Sequence, residues 1–532
     1  EELADDARRG RSRTGWSAAR MADRAVQIAL PALVLTAAFA VVGLIGLSLG
    51  ALVSTGEWSL RAGDLRILGF TLLQAALSAI LSVALAMPLA RALFRRSFPG
   101  RAFLMRAFAV PFLLPVIVAV VALSAMWGRQ GPVSDLLVAL GLPRFSLFGL
   151  QGILIAHVFL NLPLALRMLL AGWARIPSEY SRLSASLRLS AWQRFVHVEL
   201  PMLKRVAPQA LAAVFLICLT SFVVILTLGG GPKNTTLELG IYQALRFDFQ
   251  PSRAVMLSLL QLSVGLSAAI AALWIGTNTG GSGLDRPPVV SHKNRMVDGL
   301  VIGVAGMFLL LPLALLLPGL SGLRDLPASF AMGTFRAAMI GIGSGVLTLA
   351  LALPLAIWTA TERPGARIVE GIGLAPLAVS PLVLGTGLYL ILSRQIAVTD
   401  YALILAAIIT GVLLIPFFLR MVTPALRDSH QRFDLLSQTL RLGLGRTLLT
   451  IHLPRARREI AEATGLCAAL ACGEMSVLSL LAGPDQASLP MQVHGLLGAY
   501  RVDLALSAAL LLVALSVTLY TAISALGGRR AA

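Results

Sequence analysis

Four side chains inside long apolar runs define what chemistry this chain can do. Glu474, in CGEMSVLSLL, is an acid in such a run. A charge at membrane depth costs about 3 kcal/mol, so it marks either a site that meets a cation or a hydrogen bond within a helix bundle or near the outer headgroups. Ser221 stands 253 residues earlier, at the matching place in a comparable run. His157 and Asn161 lie one turn apart in HVFLNLP, with Pro163 following. They suit a polar pathway, the steadying of a helix kinked at the proline, or plain interhelical hydrogen bonding worth on the order of 1 kcal/mol. No nucleophile and base stand together among the six histidines, and Cys218, Cys467 and Cys472 lack metal-ligand spacing, so packing is their expected role. No GxxxxGK[ST] loop occurs: the residues before Lys204, Lys233 and Lys293 are Leu, Pro and His. Neither catalysis nor a bound cofactor or metal is expected of this chain.

The elements that must hold these residues are membrane helices. Hydrophobic residues make up 57% of the 532, charged residues 13%, and mean hydropathy is +0.84, far from soluble averages. The net charge of +19 is spread in short clusters between apolar runs, a pattern of membrane topology and not of nucleic-acid binding. A hydrocarbon core about 30 Å thick needs roughly 20 apolar residues of helix. The sequence predicts twelve such spans: 27–53, 67–92, 103–127, 146–173, 203–228 and 253–276, then 297–319, 330–360, 368–394, 401–426, 456–482 and 503–526. Arginine-rich stretches such as RALFRRSFPGRAFLMR (91–106) mark the cytoplasmic side and place both termini there. The expected fold is an all-α integral membrane protein of two tandem six-helix repeats. Its parts are a cytoplasmic segment 1–24, a first repeat 25–276, a Gly/Pro/Ser-rich cytoplasmic linker 277–296 and a second repeat 297–528. Six spans per repeat give both the same orientation, with a pathway between them.

Two basic amphipathic segments interrupt the apolar pattern after the fourth span of each repeat, EYSRLSASLRLSAWQRFVHVELP (179–201) and RFDLLSQTLRLGLGRTLLTIHLP (432–454). Their closing prolines, Pro201 and Pro454, are 253 residues apart. Leu187, Leu189, Trp192, Phe195 and Val196 in one, and Leu440, Leu442, Leu444, Leu448 and Leu449 in the other, fall at spacings suited to a short helix with a narrow apolar face. Such a helix can lie on anionic lipid, or a pair of them can be gripped by a two-lobed partner. The outer-face run GGGP (229–232) reads as a flexible turn that also suits the border of a docking surface.

The two segments resemble the cytoplasmic loop of bacterial ATP-binding-cassette importer permeases, whose motif is EAA, three residues, Gly, nine residues, Ile, any residue, Leu-Pro. Leu200 and Leu453 take the Leu position, and Val198 and Ile451 the aliphatic one; Arg188 and Arg441 stand at the glycine, and Arg182 and Leu435 at the glutamate. The stretches GLQGILIAHVFLNLPLALRMLL (149–170), SAWQRF (190–195) and LTLGGGPKNTTLELGIYQALRFDFQPSRAVML (226–257) resemble thiamine importer permeases, a fused two-repeat family. The resemblance implies coupling helices near 184–196 and 437–449 that dock on an ATPase through Leu187, Arg188, Leu189, Trp192 and Arg194, and through Leu440, Arg441, Leu442, Leu444 and Arg446. It also implies two copies of a cytoplasmic ATPase carrying the ATP and Mg, a periplasmic substrate-binding protein, and a bacterial inner membrane. Thiamine or its phosphate esters are then the expected cargo, with Glu474 meeting the thiazolium and Ser221, His157 and Asn161 along the pathway. Ferric iron is the alternative cargo. From another class, an ion-coupled secondary transporter would place acids at mid-membrane, where Glu474 is the clear instance.

Overall fold

Apolar runs in hydrocarbon have no water for their backbone groups and so close their own hydrogen bonds as helices. The computed structural model describes residues 2–54, 61–176, 178–275, 295–440 and 442–528. Ten of its helices are long and apolar enough to cross a bilayer, and twelve crossings result when two bent pairs each count once. The first half runs α1 (Glu2–Ser54), α2 (Ala62–Arg95), α3 (Arg101–Leu113), α4 (Val116–Trp127), α5 (Pro132–Ala139) and α6 (Leu150–Ala174). It continues through α7 (Ser178–Ser186), α8 (Ala191–Arg194), α9 (Leu200–Leu219), α10 (Val223–Leu228), α11 (Leu237–Arg246) and α12 (Pro251–Ile275).

The second half repeats this order as α13 (Arg295–Ala314), α14 (Ser329–Ala360), α15 (Ala366–Leu374), α16 (Pro381–Leu392), α17 (Ala402–Leu413) and α18 (Ile415–Thr439). Then follow α19 (Leu444–Thr447), α20 (Leu453–Ala471), α21 (Ser476–Leu481), α22 (Leu489–Gly498) and α23 (Val502–Ala525). The all-α, two-repeat architecture expected from sequence is the one observed. The expected linker 277–296 lies outside the described residues except for Arg295 and Met296, which open α13.

Two spans of the first repeat and three of the second depart from the expected straight rods. The third is cut where Pro115 and Pro381, lacking an N–H and clashing with the preceding turn, cannot continue a helix: α3 gives way to α4, and the 366–378 segment meets α16 at 89°. The fourth span of the second half bends by 41° at Leu414, two residues before Pro416, and runs on to Thr439. The fifth is cut after Leu219 and after Ala471.

The repeats also exchange their first helices. Helix α1 packs along α14, α16 and α19 of the second half, and α13 packs against α2, α3 and α4 of the first. The α1 crossing of α16 is close: a Cβ on Gly387 would lie 2.5 Å from the Ser48 carbonyl oxygen, and Ser48 Oγ donates to the Leu384 carbonyl. A nearly buried ion pair, Arg96 Nη2 to Asp298 Oδ2 at 2.7 Å, ties the end of α2 to the start of α13.

Candidate functional site

Broken helices expose backbone groups that must find partners inside the bundle. Where α9 stops, Gln74 Nε2 donates to the Cys218 carbonyl at 3.0 Å and Gln261 Nε2 to the Leu219 carbonyl at 3.1 Å. Ser221 sits in the break and bonds His157 Nε2 at 2.9 Å, while His157 Nδ1 bonds Ser78 Oγ at 2.8 Å. Asn161 Nδ2 donates to the His157 carbonyl and to Cys218 Sγ. The structure therefore brings His157, Asn161 and Ser221 into one buried cluster joining α2, α6 and the α9–α10 break, which is the interhelical bonding role.

In the second half the matching break is served by Glu474, whose Oε1 accepts from the Val477 N–H at 2.8 Å. Ser221 and Glu474 each directly precede the N-cap of the following short helix, Phe222 and Met475, so their repeat correspondence holds in space. Next to Glu474, Gly473 lies against Pro115 of the first half: a Cβ there would come within 2.7 Å of the proline ring. The fifth-span break of one half thus meets the third-span break of the other, on the seam between repeats.

A second acid lies inside the fold. Glu238, in TTLELGIYQ, is completely buried on α11, beside Gln261 and beside Ser380 of the second half. A legible signal was present: Thr236 caps the helix by accepting from Leu239 N–H, and Leu237, Leu239, Ile241 and Ala244 follow at core-facing positions.

At the opposite end of the fifth spans, each basic segment forms the same device, and not the single helix expected over 184–196 or 437–449. Helix α7 ends in a turn where Leu189 N–H bonds the Ser184 carbonyl, and α18 ends where Leu442 N–H bonds the Ser437 carbonyl. This is a 6→1 helix stop whose penultimate residue adopts left-handed backbone. Arg188 takes that place with φ +47°, which explains why the motif it resembles has glycine there. Arg441 lies outside the described residues.

Ser190 and Gln193 then cap α8 reciprocally. A π turn follows in both halves, with Leu200 N–H bonded to the Phe195 carbonyl and Leu453 N–H to the Leu448 carbonyl. The wider turn lets Pro201 and Pro454 enter helices α9 and α20 without meeting the carbonyl four residues back. Leu187, Trp192 and Leu440 are 61%, 70% and 58% exposed. Leu189, Leu442 and Leu444 are half-buried, Leu444 against the second-half core, while Arg188 and Arg446 are exposed. Arg194 turns inward as well: with Arg91 and Arg95 it surrounds buried Glu199, at 3.8, 2.7 and 3.1 Å. Seen from outside, the GGGP turn is pinned and not slack: Gly149 N–H bonds the Leu228 carbonyl and Asn234 Nδ2 the Gly229 carbonyl, with Gly230 and Gly231 at positive φ.

Residues 82–267 match the family described as binding-protein-dependent transport system inner membrane component. The thiamine transport system permease protein of Escherichia coli (strain K12) is 38% identical over 482 residues, covering 86% of this chain and 88% of that relative. The chain belongs to the thiamine transport system permease family. The protein of the same description from Haemophilus influenzae is 30% identical over 466 residues, 83% of this chain and 85% of its own. A sulfate transport system permease protein of Synechococcus elongatus matches only 134 residues at 27% identity, 25% of this chain and 46% of its own. As a thiamine-transport-type permease, the chain is a multi-pass inner-membrane subunit of a binding-protein-dependent importer. In this permease the short helices and turns of the fifth spans are the shared internal feature, and the paired 6→1 stops and π turns are the shared feature of its basic end.

Proposed function

We propose that this permease carries thiamine, or a phosphate ester of it, into the cytoplasm, driven by ATP that two copies of a separate ATPase hydrolyse. The observation that carries the reading is the pair of basic-end devices: one helix stop, one short helix and one π turn in each repeat, each presenting exposed leucine beside arginine. Two equivalent handles on one face suit a two-lobed partner that opens and closes. ATP and Mg would sit on that partner, since the chain has no phosphate-binding loop. Both termini and both handles would face the cytoplasm by their arginine content, and a periplasmic binding protein would deliver cargo at the opposite end, where the GGGP turn lies.

Closure of the ATPase dimer would shift α8 and α19 as rigid pieces, and the continuous path through the π turns into α9 and α20 would carry that movement to the breaks at Ser221 and Glu474. A cationic cargo crossing the seam would then meet Glu474 and Glu238, where a carboxylate stripped of solvent is relieved by a passing positive charge. His157 and Asn161 would hold the fourth span against the moving break. The domain limits 25–276 and 297–528 would mark the two repeats.

The test is to purify the permease with its ATPase in lipid nanodiscs and add binding protein loaded with thiamine, thiamine diphosphate or ferric iron. Thiamine or its ester should raise ATP hydrolysis severalfold over empty binding protein; stimulation by iron alone would overturn the assignment of cargo.

A further inference from the structure

At the basic end of the second half, α18, the start of α20 and the turn after α23 line an open cleft of about 670 Å³. Its lining includes Arg432, Arg455, Arg457 and Arg458 against Asp428 and Glu459. Two of the arginines are matched to acids: Arg432 Nε lies 2.9 Å from Asp428 Oδ1, and Arg458 Nε 2.6 Å from Glu462 Oε1. Arg455 instead rests 4.2 Å over the Phe433 ring, and neither it nor Arg457 makes an ion pair with a carboxylate among the described residues. The turn after α23 is fitted to this wall: a Cβ at Gly527 would lie 2.9 Å from Ala461 Cβ and 3.0 Å from Arg458 Cα, and Gly528 turns beside Arg457 at φ +71°. The first half does not repeat this set of side chains. The residues 253 positions earlier are Glu179, Met202, Lys204 and Arg205, so an acid and a thioether replace Arg432 and Arg455. The cleft is therefore separate from the docking device that both repeats share.

We propose that this cleft is a binding site for a phosphate-bearing anion, held by Arg455 and Arg457 and bridging α18, α20 and the turn after α23. Planar guanidinium forks match phosphate oxygens in pairs, and the volume admits a diphosphate or a phosphoglycerol headgroup. The site lies at the membrane's basic boundary, so the phosphate can come from an anionic lipid or from solution. Because α18 leads directly into the second docking segment, an anion here fastens that segment to α23.

The full chain, purified with its ATPase, tests this in two arms. Native mass spectrometry after exchange into mixed phosphatidylcholine and phosphatidylglycerol reads retained lipid, and calorimetric titration with inorganic pyrophosphate in pure phosphatidylcholine nanodiscs reads the soluble anion. Retention of phosphatidylglycerol that is lost in Arg455→Gln/Arg457→Gln assigns a lipid headgroup. Pyrophosphate binding that weakens about tenfold or more in the same variant assigns a soluble phosphate. Should that variant not fold, Arg455→Lys/Arg457→Lys is expected to keep a weaker, salt-sensitive affinity. Wild-type protein that neither retains phosphatidylglycerol nor binds pyrophosphate, or a glutamine variant that does either as well as wild type, overturns the proposal.

Discussion

Glu474 has two separable features, an oxygen that caps α21 through the Val477 N–H and an ionisable carboxyl on the seam between repeats. Glutamine keeps the acceptor and removes the charge; alanine removes both. Glu474→Gln is expected to hold the detergent-solubilised melting midpoint near wild type while thiamine uptake falls about tenfold, the scale of one lost charge contact of about 1.4 kcal/mol. Glu474→Ala should in addition lose about 1 kcal/mol of stability with the cap. Equal uptake by wild type and Glu474→Gln at matched protein levels would leave the residue a cap and nothing more. Glu238 separates from it by its surroundings: it is a fully buried carboxyl beside Ser380 and Gln261, and glutamine keeps an acceptor for them while removing the cost of burying a charge. Glu238→Gln should therefore melt at or above the wild-type temperature and still transport thiamine more slowly. A drop in stability with uptake intact would mark it as structural.

The docking devices belong to the scale of elements. Exposed Leu187 and Leu440 are the fourth residues of the six-residue helix stops closed by the Leu189 N–H to Ser184 carbonyl and Leu442 N–H to Ser437 carbonyl bonds. Leu187→Asp with Leu440→Asp should leave membrane insertion and the melting midpoint unchanged and cut ATPase association about 30-fold or more, as removal of two central apolar anchors does; retention of a stoichiometric complex on a sizing column would refute docking at these residues. This scale also shows what the amino-acid order could tell. Helix count, the two-repeat plan and the twin segments were legible because membrane helices must be long and apolar and because Pro201 and Pro454 recur at a fixed interval. The breaks were not, since Leu219–Val223 and Ala471–Ser476 remain apolar enough to read as uninterrupted helix; in the first half, side chains from distant helices, Gln74 and Gln261, bond the Cys218 and Leu219 carbonyls at the break. The arginines of the basic segments divide in space: Arg188 and Arg446 are exposed, while Arg194 joins Arg91 and Arg95 around Glu199, which lies 108 and 104 residues from Arg91 and Arg95 in the chain.

For the molecule as a whole, the exchange of first helices makes each half incomplete. The second half lacks a cover for α14 and α16 unless α1 supplies it, and the first half leaves α2 and α4 open unless α13 does. The fused chain guarantees both exchanges at high effective concentration, but the packing itself should not need the covalent link, because the contacts at Gly387 and the Arg96–Asp298 pair form between surfaces and not through the linker. Residues 1–275 and 295–528 expressed as two polypeptides in one cell should co-purify and restore uptake in a strain lacking the permease. Expressed singly, each should be degraded, since its apolar helix faces lose their partner. Accumulation of 295–528 alone at the level seen with its partner would show that α1 is dispensable to the second half, and the exchanged packing would then be no requirement of the fold.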